Sequence, residues 1–385
     1  MVDVGDDREV ANPLARNIRW SGHASECFRD VSFLRRAWQV IVGPRQLRTV
    51  NERPGALASP PVSTHRVLVS DKLSENGLAV FRAAAPAIQL DVKVGLKPDE
   101  LKGIIGQYHG LAIRSATKVT KEIIEAASQL RVVGRAGIGV DNVDIPAASA
   151  RGILVMNTPE GNVITTAEHA LALMMALVRK IPQATASMRA GAWEKTKFQG
   201  REIFGKTLGI IGLGNIGKVV ADRARGLRMH VIAFDPFISA EKGEELGAEM
   251  TDLDTLLSRA DIVTLHVPLV EGTKKIISAA AIEKMKRGAF LVNAARGGLC
   301  DEIAVAEAVK SGRLGGAAFD VFEKEPIENT HPLLAVDNVI VTPHLGASTD
   351  EAQERVAVEV AQQIVAYLTR GEIRNGLNAA AIAKR

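Results

Sequence analysis

The chain has few cysteines and no long apolar run, and each absence excludes a class of protein. Its 385 residues include two cysteines, Cys27 and Cys300, which offer neither a disulfide framework nor the ligand spacing of a metal site. We therefore expect a reducing, cytoplasmic location and no bound metal. No run of about 18 apolar residues occurs, so we expect no transmembrane helix and no membrane partner.

Net basic charge is also small in most of the chain. The formal net charge is +4, and residues 1–66 supply +3 of it through ten arginines against seven acidic residues. Residues 67–385 therefore carry only +1, which gives no indication of a nucleic-acid partner.

The first 63 residues differ from the rest in composition. They contain arginine but no lysine, show no clear periodicity, and end in the Pro/Ser/Gly-rich stretch RPGALASPPVST at 53–64. Three interpretations are open: a targeting segment, a regulatory arm, or a translated upstream region with the natural start near residue 62. We favour a disordered, dispensable extension over 1–63.

Short β-branched runs alternate with helical patterns from residue 66 onward, which predicts parallel sheets covered by helices on both faces. Four predicted strands precede a long apolar helix at 165–181, whose start is indicated by a capping-box spacing of Thr165 and Glu168. Six predicted strands follow, the number of a complete dinucleotide fold. The predicted strands are 66–70, 110–115, 131–136, 153–158, 207–212, 230–235, 262–267, 289–294, 316–321 and 338–343.

The predicted fold is α/β, with two doubly wound parallel-sheet domains. A Rossmann cofactor domain at 162–345 would be inserted into a flavodoxin-like substrate domain made of residues 64–161 and 346–378. The last helix, at 350–371, would cross back to the first sheet and leave the substrate domain discontinuous.

The sequence GLGNIG at 212–217 places Gly212, Gly214 and Gly217 in the pattern G-x-G-x-x-G between a strand and a helix. Gly212 permits a tight turn, Gly214 lets the backbone approach a pyrophosphate, and Gly217 allows close helix–strand packing, while the helix N-terminus attracts the phosphates. Asp235 ends the next strand and can accept the ribose hydroxyls, so NAD is the expected cofactor. The alternative is a packing turn with a surface aspartate.

Polar side chains follow the later strands at the edge where ligands bind in open parallel sheets. Arg296 can bind a carboxylate as a fork, and His344 can accept a hydroxyl proton as hydride leaves. Glu325 can orient that histidine. Each also has a structural alternative: a sheet-edge salt bridge for Arg296, a solvated acid for Glu325, a satisfied structural residue for His344. We interpret His266 as a structural residue, the Pro-Leu turn that follows it as a wall of the cofactor pocket, and Cys300 as a packed thiol.

Residues 66–378 resemble the D-isomer-specific 2-hydroxyacid dehydrogenases. The narrower markers of the resemblance are the segments around PQATASM and TPHLGAST, which favour the branch that oxidises phosphoglycerate. The resembling segments are RSATKVT (114–120), VVGRAGIGVDNVD (132–144), GILVMNTPEGN (152–162), IPQATASMRAGAWEKTKFQG (181–200), KTLGIIGLGNIGKVVA (206–221), NAARGGLCDE (293–302), AAFDVFEKEP (317–326) and TPHLGAST (342–349).

The resemblance implies an NAD-dependent enzyme that oxidises D-3-phosphoglycerate to 3-phosphohydroxypyruvate, the first step of L-serine biosynthesis, with catalytic Arg296, Glu325 and His344. It implies substrate contacts from Arg114 and Arg135, whose alternative is exposed ion pairs. It also implies a homodimer through the cofactor domain, with Lys195 reaching the neighbouring site. The implied cofactor contacts are Asn215, Ile216, Asp235, Val267, Ala294, Ala295, Asp320, Gly346, Ala347 and Ile138.

The sequence departs from the family pattern at two positions within the body and at both ends of the chain. Ile138 and Val267 stand where many members have threonine, which removes two hydroxyl contacts to the cofactor. The chain stops at residue 385, where longer members continue into regulatory domains, so we expect no serine inhibition of that kind. Residues 1–63 match nothing in the family. Two other functions stay open: another D-2-hydroxyacid dehydrogenase or hydroxypyruvate reductase, and an NAD-sensing, corepressor-like binding protein.

Overall fold

The computed structural model describes residues 64–384, so the expectations for residues 1–63 lie outside the described part. The first half of this part forms a parallel five-stranded sheet in the order β2-β1-β3-β4-β5, a flavodoxin-like order. Its elements are β1 (His65–Val69), α1 (Glu75–Ala83), β2 (Ile88–Val92), α2 (Pro98–Ile104), β3 (Gly110–Ile113), α3 (Lys121–Ala126), β4 (Val132–Arg135), α4 (Ile145–Ala150) and β5 (Leu154–Asn157).

The second sheet is also parallel and has the order β12-β11-β10-β9-β6-β7-β8, in which β6 is the switch point of a dinucleotide fold. Its elements and the chain that follows are α5 (Val163–Val178), α6 (Ile181–Arg189), β6 (Thr207–Ile211), α7 (Asn215–Gly226), β7 (His230–Phe234), α8 (Ala240–Glu245), β8 (Glu249–Met250), α9 (Leu253–Arg259), β9 (Ile262–Leu265), α10 (Ala279–Lys284), β10 (Ala289–Asn293), α11 (Glu302–Lys310), β11 (Leu314–Phe319), β12 (Val339–Val341), α12 (Asp350–Arg370) and α13 (Ala379–Ala383).

The α/β class with two parallel sheets is confirmed, but the predicted set of strands was incomplete. Sequence patterns missed β2 and the two-residue β8, so the sheets have five and seven strands rather than four and six. Both missed strands pair with a single neighbour at a sheet edge. The β2 sequence, IQLDV, carries polar Gln89 and Asp91 that a fully buried strand would lack.

The predicted capping box at the start of α5 was wrong. The helix begins at Val163 after Asn162, two residues earlier than predicted. Thr165 lies inside the helix, where its Oγ1 is 3.2 Å from the Oγ1 of Thr349, and Glu168 pairs with Arg223. Thr165 and Glu168 therefore have the capping-box spacing without its hydrogen bonds.

Helix α12 covers one face of the first sheet, although it follows the second sheet in the chain. Val360 and Ile364 of this helix belong to the same buried cluster as Val67, Ala112 and Val132 of the strands. Helices α2, α3 and α4 cover the opposite face. In the second sheet, α5 and α7 cover one face and α9, α10 and α11 cover the other.

Candidate active site

The glycine loop between β6 and α7 has the geometry of a phosphate cradle. Gly212 has φ +95°, and a Cβ there would lie 2.7 Å from the carbonyl oxygen of His266. A Cβ on Gly217 would collide with the carbonyl oxygen of Gly212, whereas Gly214 has open space around it. The backbone at Gly214 can therefore be approached closely, beside the N-terminus of a 12-residue helix.

Asp235 is tied to that loop. Its Oδ2 accepts the Leu213 N–H at 2.9 Å, and its Oδ1 accepts the Phe237 N–H at 3.0 Å. Each carboxylate oxygen keeps a free lone pair for a further hydroxyl group. Loop and carboxylate thus form one rigid unit at the ends of β6 and β7, as a nucleotide ribose and pyrophosphate require.

His344 and Glu325 form a hydrogen-bonded pair beyond the ends of β11 and β12. The His344 Nδ1 lies 2.8 Å from Glu325 Oε2, and Glu325 Oε1 accepts the Phe322 N–H at 3.0 Å. Burial raises the pKa of Glu325, but the hydrogen bonds from His344 and Phe322 lower it by more, so the net shift is downward. With Nδ1 engaged, Nε2 of His344 is the ring atom left to exchange a substrate proton.

The backbone under His344 is held by Asp320, whose side chain is completely buried. Its Oδ1 accepts from Thr342 Oγ1 at 2.6 Å and from Leu345 N at 2.7 Å, and its Oδ2 accepts from Gly346 N at 2.7 Å. These bonds fix the loop in which His344 has φ +57°.

A second partner, His169 of α5, lies 3.2 Å from Asp320 through its Nε2. Burial raises the pKa of Asp320, while hydrogen bonds from His169 and Thr342 outweigh it and lower the pKa overall. The family resemblance implied that Asp320 is a direct cofactor contact. The geometry fits a residue that holds the loop, because its carboxylate is already engaged, and the direct contact remains a prediction.

Arg296 reaches across from the second sheet to the first. Asn293, which is fully buried, donates to the Arg296 carbonyl at 2.9 Å and shapes the turn after β10. The Arg296 Nε lies 3.2 Å from Asp141 Oδ2. A Cβ on Gly139 would collide with the Arg296 guanidinium, so the glycine gives the arginine room in the cleft between the sheets.

Two further arginines stand at the strand ends of the first sheet. Burial lowers the pKa of Arg135 to about 10, and the positive charges of Arg296 and Arg114 act in the same direction, against Asp141. Among the described residues the Nε of Arg135 has no hydrogen-bond partner. Three guanidinium groups therefore face one cleft with few counter-charges, which is an arrangement that an anionic ligand would stabilise.

Sequence analysis missed the side chains that hold these arginines. Asp71 accepts the backbone N–H of Arg114 at 2.6 Å, and Asn142 donates to the Arg114 carbonyl at 2.8 Å. Gln353, from α12, accepts from the Arg114 guanidinium at 3.3 Å. Asp71 directly follows β1, so the strand-end rule could have found it, whereas Gln353 becomes a neighbour only through the tertiary fold.

The other predicted cofactor residues gather around the glycine loop and the cleft, and Lys195 does not. Lys195 lies exposed in a short 3-10 helix (Lys195–Phe198), and no hydrogen bond or ion pair among residues 64–384 joins it to Arg296 or His344. The gathered residues are Asn215 and Ile216 in the first turn of α7, Val267 after β9, Ala294 and Ala295 after β10, Gly346 and Ala347 after β12, and Ile138, whose carbonyl is bound by Asn157.

His266 and Cys300 have the surroundings of structural residues. The His266 Nε2 lies 3.0 Å from Thr264 Oγ1, and burial lowers the pKa of the ring to about 4. Burial raises the pKa of the Cys300 thiol well above its ordinary value, so the thiol stays protonated. Cys300 is therefore not the thiolate that a nucleophile needs, and a His266 ring with a pKa of about 4 is too weakly basic to serve as a base at neutral pH.

The described range offers neither a metal cluster nor a membrane-spanning helix. No group of three or more His, Cys, Asp or Glu side chains in residues 64–384 could hold a metal ion. No helix in the same range has the length and apolarity to cross a membrane.

The sequence of the chain is similar to known protein families and to individual curated proteins. Residues 171–346 match the model of the D-isomer specific 2-hydroxyacid dehydrogenase, NAD binding domain. A D-3-phosphoglycerate dehydrogenase of Archaeoglobus fulgidus is 48% identical over 313 residues, which are 81% of this chain and 59% of that protein. The chain thus spans less than two thirds of the length of this curated relative.

Solved structures are covered over almost their whole length by this chain. The TT0316 protein of Thermus thermophilus matches at 34% identity with a TM-score of 0.75, covering 81% of this chain and 99% of that one. A D-lactate dehydrogenase of Aquifex aeolicus, complexed with NAD and lactic acid, matches at 27% identity with a TM-score of 0.70, covering 79% and 95%.

Proposed function

We propose, from the premise that this chain belongs to the D-isomer specific 2-hydroxyacid dehydrogenase family, that it oxidises D-3-phosphoglycerate to 3-phosphohydroxypyruvate with NAD. The observation that carries the proposal is the convergence of Arg114, Arg135 and Arg296 on the cleft beside the His344–Glu325 pair. A 2-hydroxy acid with a single carboxylate needs one such fork. A substrate that also carries a phosphate gives the further guanidinium groups a partner.

The residues of the chain divide the chemistry between them. Arg296 binds the substrate carboxylate and fixes C2 in the cleft. His344 takes the C2 hydroxyl proton at Nε2, and Glu325 stabilises the imidazolium that results. NAD, when bound, accepts the hydride that leaves C2. Asp235 accepts the ribose hydroxyls and would repel a 2′-phosphate, which favours NAD over NADP.

Further parts of the proposal concern the assembly. The substrate domain consists of residues 64–161 and 346–378, and the cofactor domain of 162–345. The enzyme acts in the cytoplasm as a homodimer formed through the cofactor domain, in which Lys195 extends toward the partner's cleft. Exposed apolar side chains near Lys195 support such a contact, since Ile181, Met188, Trp193 and Phe204 are 53–81% exposed.

The test is NADH formation with D-3-phosphoglycerate, D-glycerate and D-lactate as substrates. We expect kcat/KM to favour the phosphorylated acid about 100-fold over D-glycerate, since a charged hydrogen-bonded pair contributes roughly 1.5–3 kcal/mol. Replacing Arg114 by Gln should reduce this preference and leave turnover of D-glycerate unchanged. Equal kcat/KM for the two acids would instead identify a general 2-hydroxyacid dehydrogenase or hydroxypyruvate reductase.

The base assignment needs its own variant in the same assay. His344→Ala should lower kcat by roughly 10²–10⁴-fold while NAD binding, measured by calorimetry, persists. Unchanged turnover would show that another group takes the proton. A wild-type protein that binds NAD tightly but turns over none of the acids would point to an NAD sensor.

A further inference from the structure

Glu325 sits on a long loop that leaves β11 and returns only at the short 3-10 helix Pro332–Ala335. No regular secondary structure supports residues 320–331. A group that must hold the His344 ring to within a fraction of an ångström therefore depends on other contacts for its position.

One buried carboxylate binds both ends of this loop. Glu302, the first residue of α11, is 7% exposed. Its Oε1 accepts the Glu323 N–H at 2.8 Å, and its Oε2 lies 2.9 Å from the Nε2 of His331. Glu302 thereby joins Glu323 to His331 at the two ends of a loop that contains Glu325. We call this contact of Glu302 with Glu323 and His331 the clasp.

The histidine side of the clasp is itself fixed. His331 Nδ1 accepts the Leu333 N–H at 3.4 Å, so in the neutral ring the proton sits on Nε2 and is donated to Glu302. The ring also packs edge-on against Phe322, with 6.1 Å between ring centroids. Phe322 in turn donates its backbone N–H to Glu325.

The clasp also connects Glu325 to the loop of Arg296. A Cβ on Gly297 would collide with the Phe322 carbonyl, so the two loops run in backbone contact. Glu302 begins the helix that follows the Arg296 loop. One side chain therefore sets the spacing between the loop that binds the substrate carboxylate and the loop that carries Glu325.

We propose that Glu302 and His331 are positioning residues that hold Glu325 against His344, and this rests on the proposed oxidation of a 2-hydroxy acid. Neither residue has a direct role toward substrate or cofactor in the proposed mechanism. The pair acts through the geometry of the loop 323–331.

The buried site would destabilise a Glu302 carboxylate that lacked its hydrogen-bond partners. Burial and the charge of Glu323 raise the pKa of Glu302 overall, although the hydrogen bonds from the Glu323 N–H and His331 act in the opposite direction. Lys275 pairs with the adjacent Asp301 at 3.1 Å and adds positive potential. Without His331, the carboxylate of Glu302 would keep one hydrogen bond at a site where water is excluded, which is costly.

The experiment compares Glu302→Ala, Glu302→Gln, His331→Phe and the double variant Glu302→Ala/His331→Phe, using the full chain. Glu302→Ala should lower kcat about 10²-fold and leave the NAD dissociation constant within about twofold, because a misplacement near 1 Å has this cost. Glu302→Gln should recover part of the loss, since its amide oxygen still accepts the Glu323 N–H. The double variant should be no worse than Glu302→Ala alone, as expected for a single unit.

Glu359→Ala is the matched control, because Glu359 is another half-buried acid whose pKa burial raises, on α12 and away from the loop. Its kcat should equal that of the wild type. Additive losses in the double variant, or equal losses in Glu302→Ala and Glu359→Ala, would overturn the proposal.

A second readout does not depend on turnover. In protein labelled with ¹³C at glutamate carboxyls, Glu325, assigned through Glu325→Gln, should titrate at a higher pKa in Glu302→Ala than in the wild type, because its bonds to His344 and Phe322 are lost. An unchanged titration would overturn the clasp. If the wild type fails to oxidise D-3-phosphoglycerate, the proposed function fails while this titration still decides the clasp. If Glu302→Ala does not fold, Glu302→Gln and His331→Phe carry the same comparison.

Discussion

At the scale of single residues, burial shifts the pKa of two groups near the site and leaves them in different charge states. Arg135 is charged at neutral pH although burial lowers its pKa to about 10. His266 is neutral, because burial lowers its pKa from 6.5 to about 4. Arg135 is thus a cation in the cleft, and His266 is an uncharged residue beside the glycine loop.

His266 should make the fold sensitive to acid. Its pKa is lower in the folded chain than in the unfolded chain, so the folded state binds fewer protons, and stability falls as the pH drops from about 6.5 toward 4. At pH 5 the cost is about 1–2 kcal/mol. Urea unfolding at pH 7 and pH 5 should show that His266→Gln loses this part of the acid sensitivity.

The exposed His230, at the start of β7, gives the matched control. His230→Gln should keep the acid sensitivity of the wild type. Equal behaviour of the two variants would contradict the assignment of this acid effect to His266.

At the scale of elements, the close contact of α7 with β6 depends on one glycine. A Cβ at Gly217 meets backbone, the carbonyl of Gly212, so it cannot be accommodated by a side-chain rotation. Gly226 ends the same helix with open space around it. Alanine substitutions at Gly217 and Gly226 therefore distinguish the effect of close packing from the effect of helix propensity.

Gly217→Ala should destabilise the fold by about 1–3 kcal/mol and weaken NAD binding, since the helix must move away from the strand. Gly226→Ala should be neutral or stabilise the fold by up to about 1 kcal/mol, because alanine favours helix. Thermal unfolding with and without NAD measures both effects. Similar losses in both variants would contradict a role for close packing at Gly217.

Sequence periodicity predicted the central strands and the polar residues that follow them, because buried parallel strands are continuous apolar runs with fixed exits. Edge strands such as β2 lack that signature. The glycine loop, Arg296, Glu325 and His344 were recognisable from position and residue type. Gln353, His169 and Glu302 were not, since each meets its partner only after distant segments pack together.

At the scale of the whole molecule, an ion pair joins the two sheets across the cleft. Asp141 lies 3.2 Å from the Arg296 guanidinium, and its side chain is 72% exposed. Under the proposed function, a substrate carboxylate competes with Asp141 for this guanidinium. An exposed pair of this kind is worth about 0.2–1 kcal/mol, so the competition is weak but measurable.

Asp141→Asn should therefore lower KM for the hydroxy acid by up to about fivefold, with little change in kcat. Asp254→Asn removes another solvent-exposed ion pair, with Lys284 of α10, and serves as the control. Steady-state kinetics of the two variants measure the difference. A higher KM in Asp141→Asn would mean that Asp141 supports the arginine instead of competing for it.

The return of α12 to the first sheet has a consequence for synthesis on the ribosome. Strands β1 to β5 emerge first, but the helix that covers Val67, Ala112 and Val132 is translated only after the entire second sheet. The second sheet has its own helices on both faces and can close as soon as it emerges. During translation, the apolar face of the first sheet therefore stays uncovered until α12 has been made.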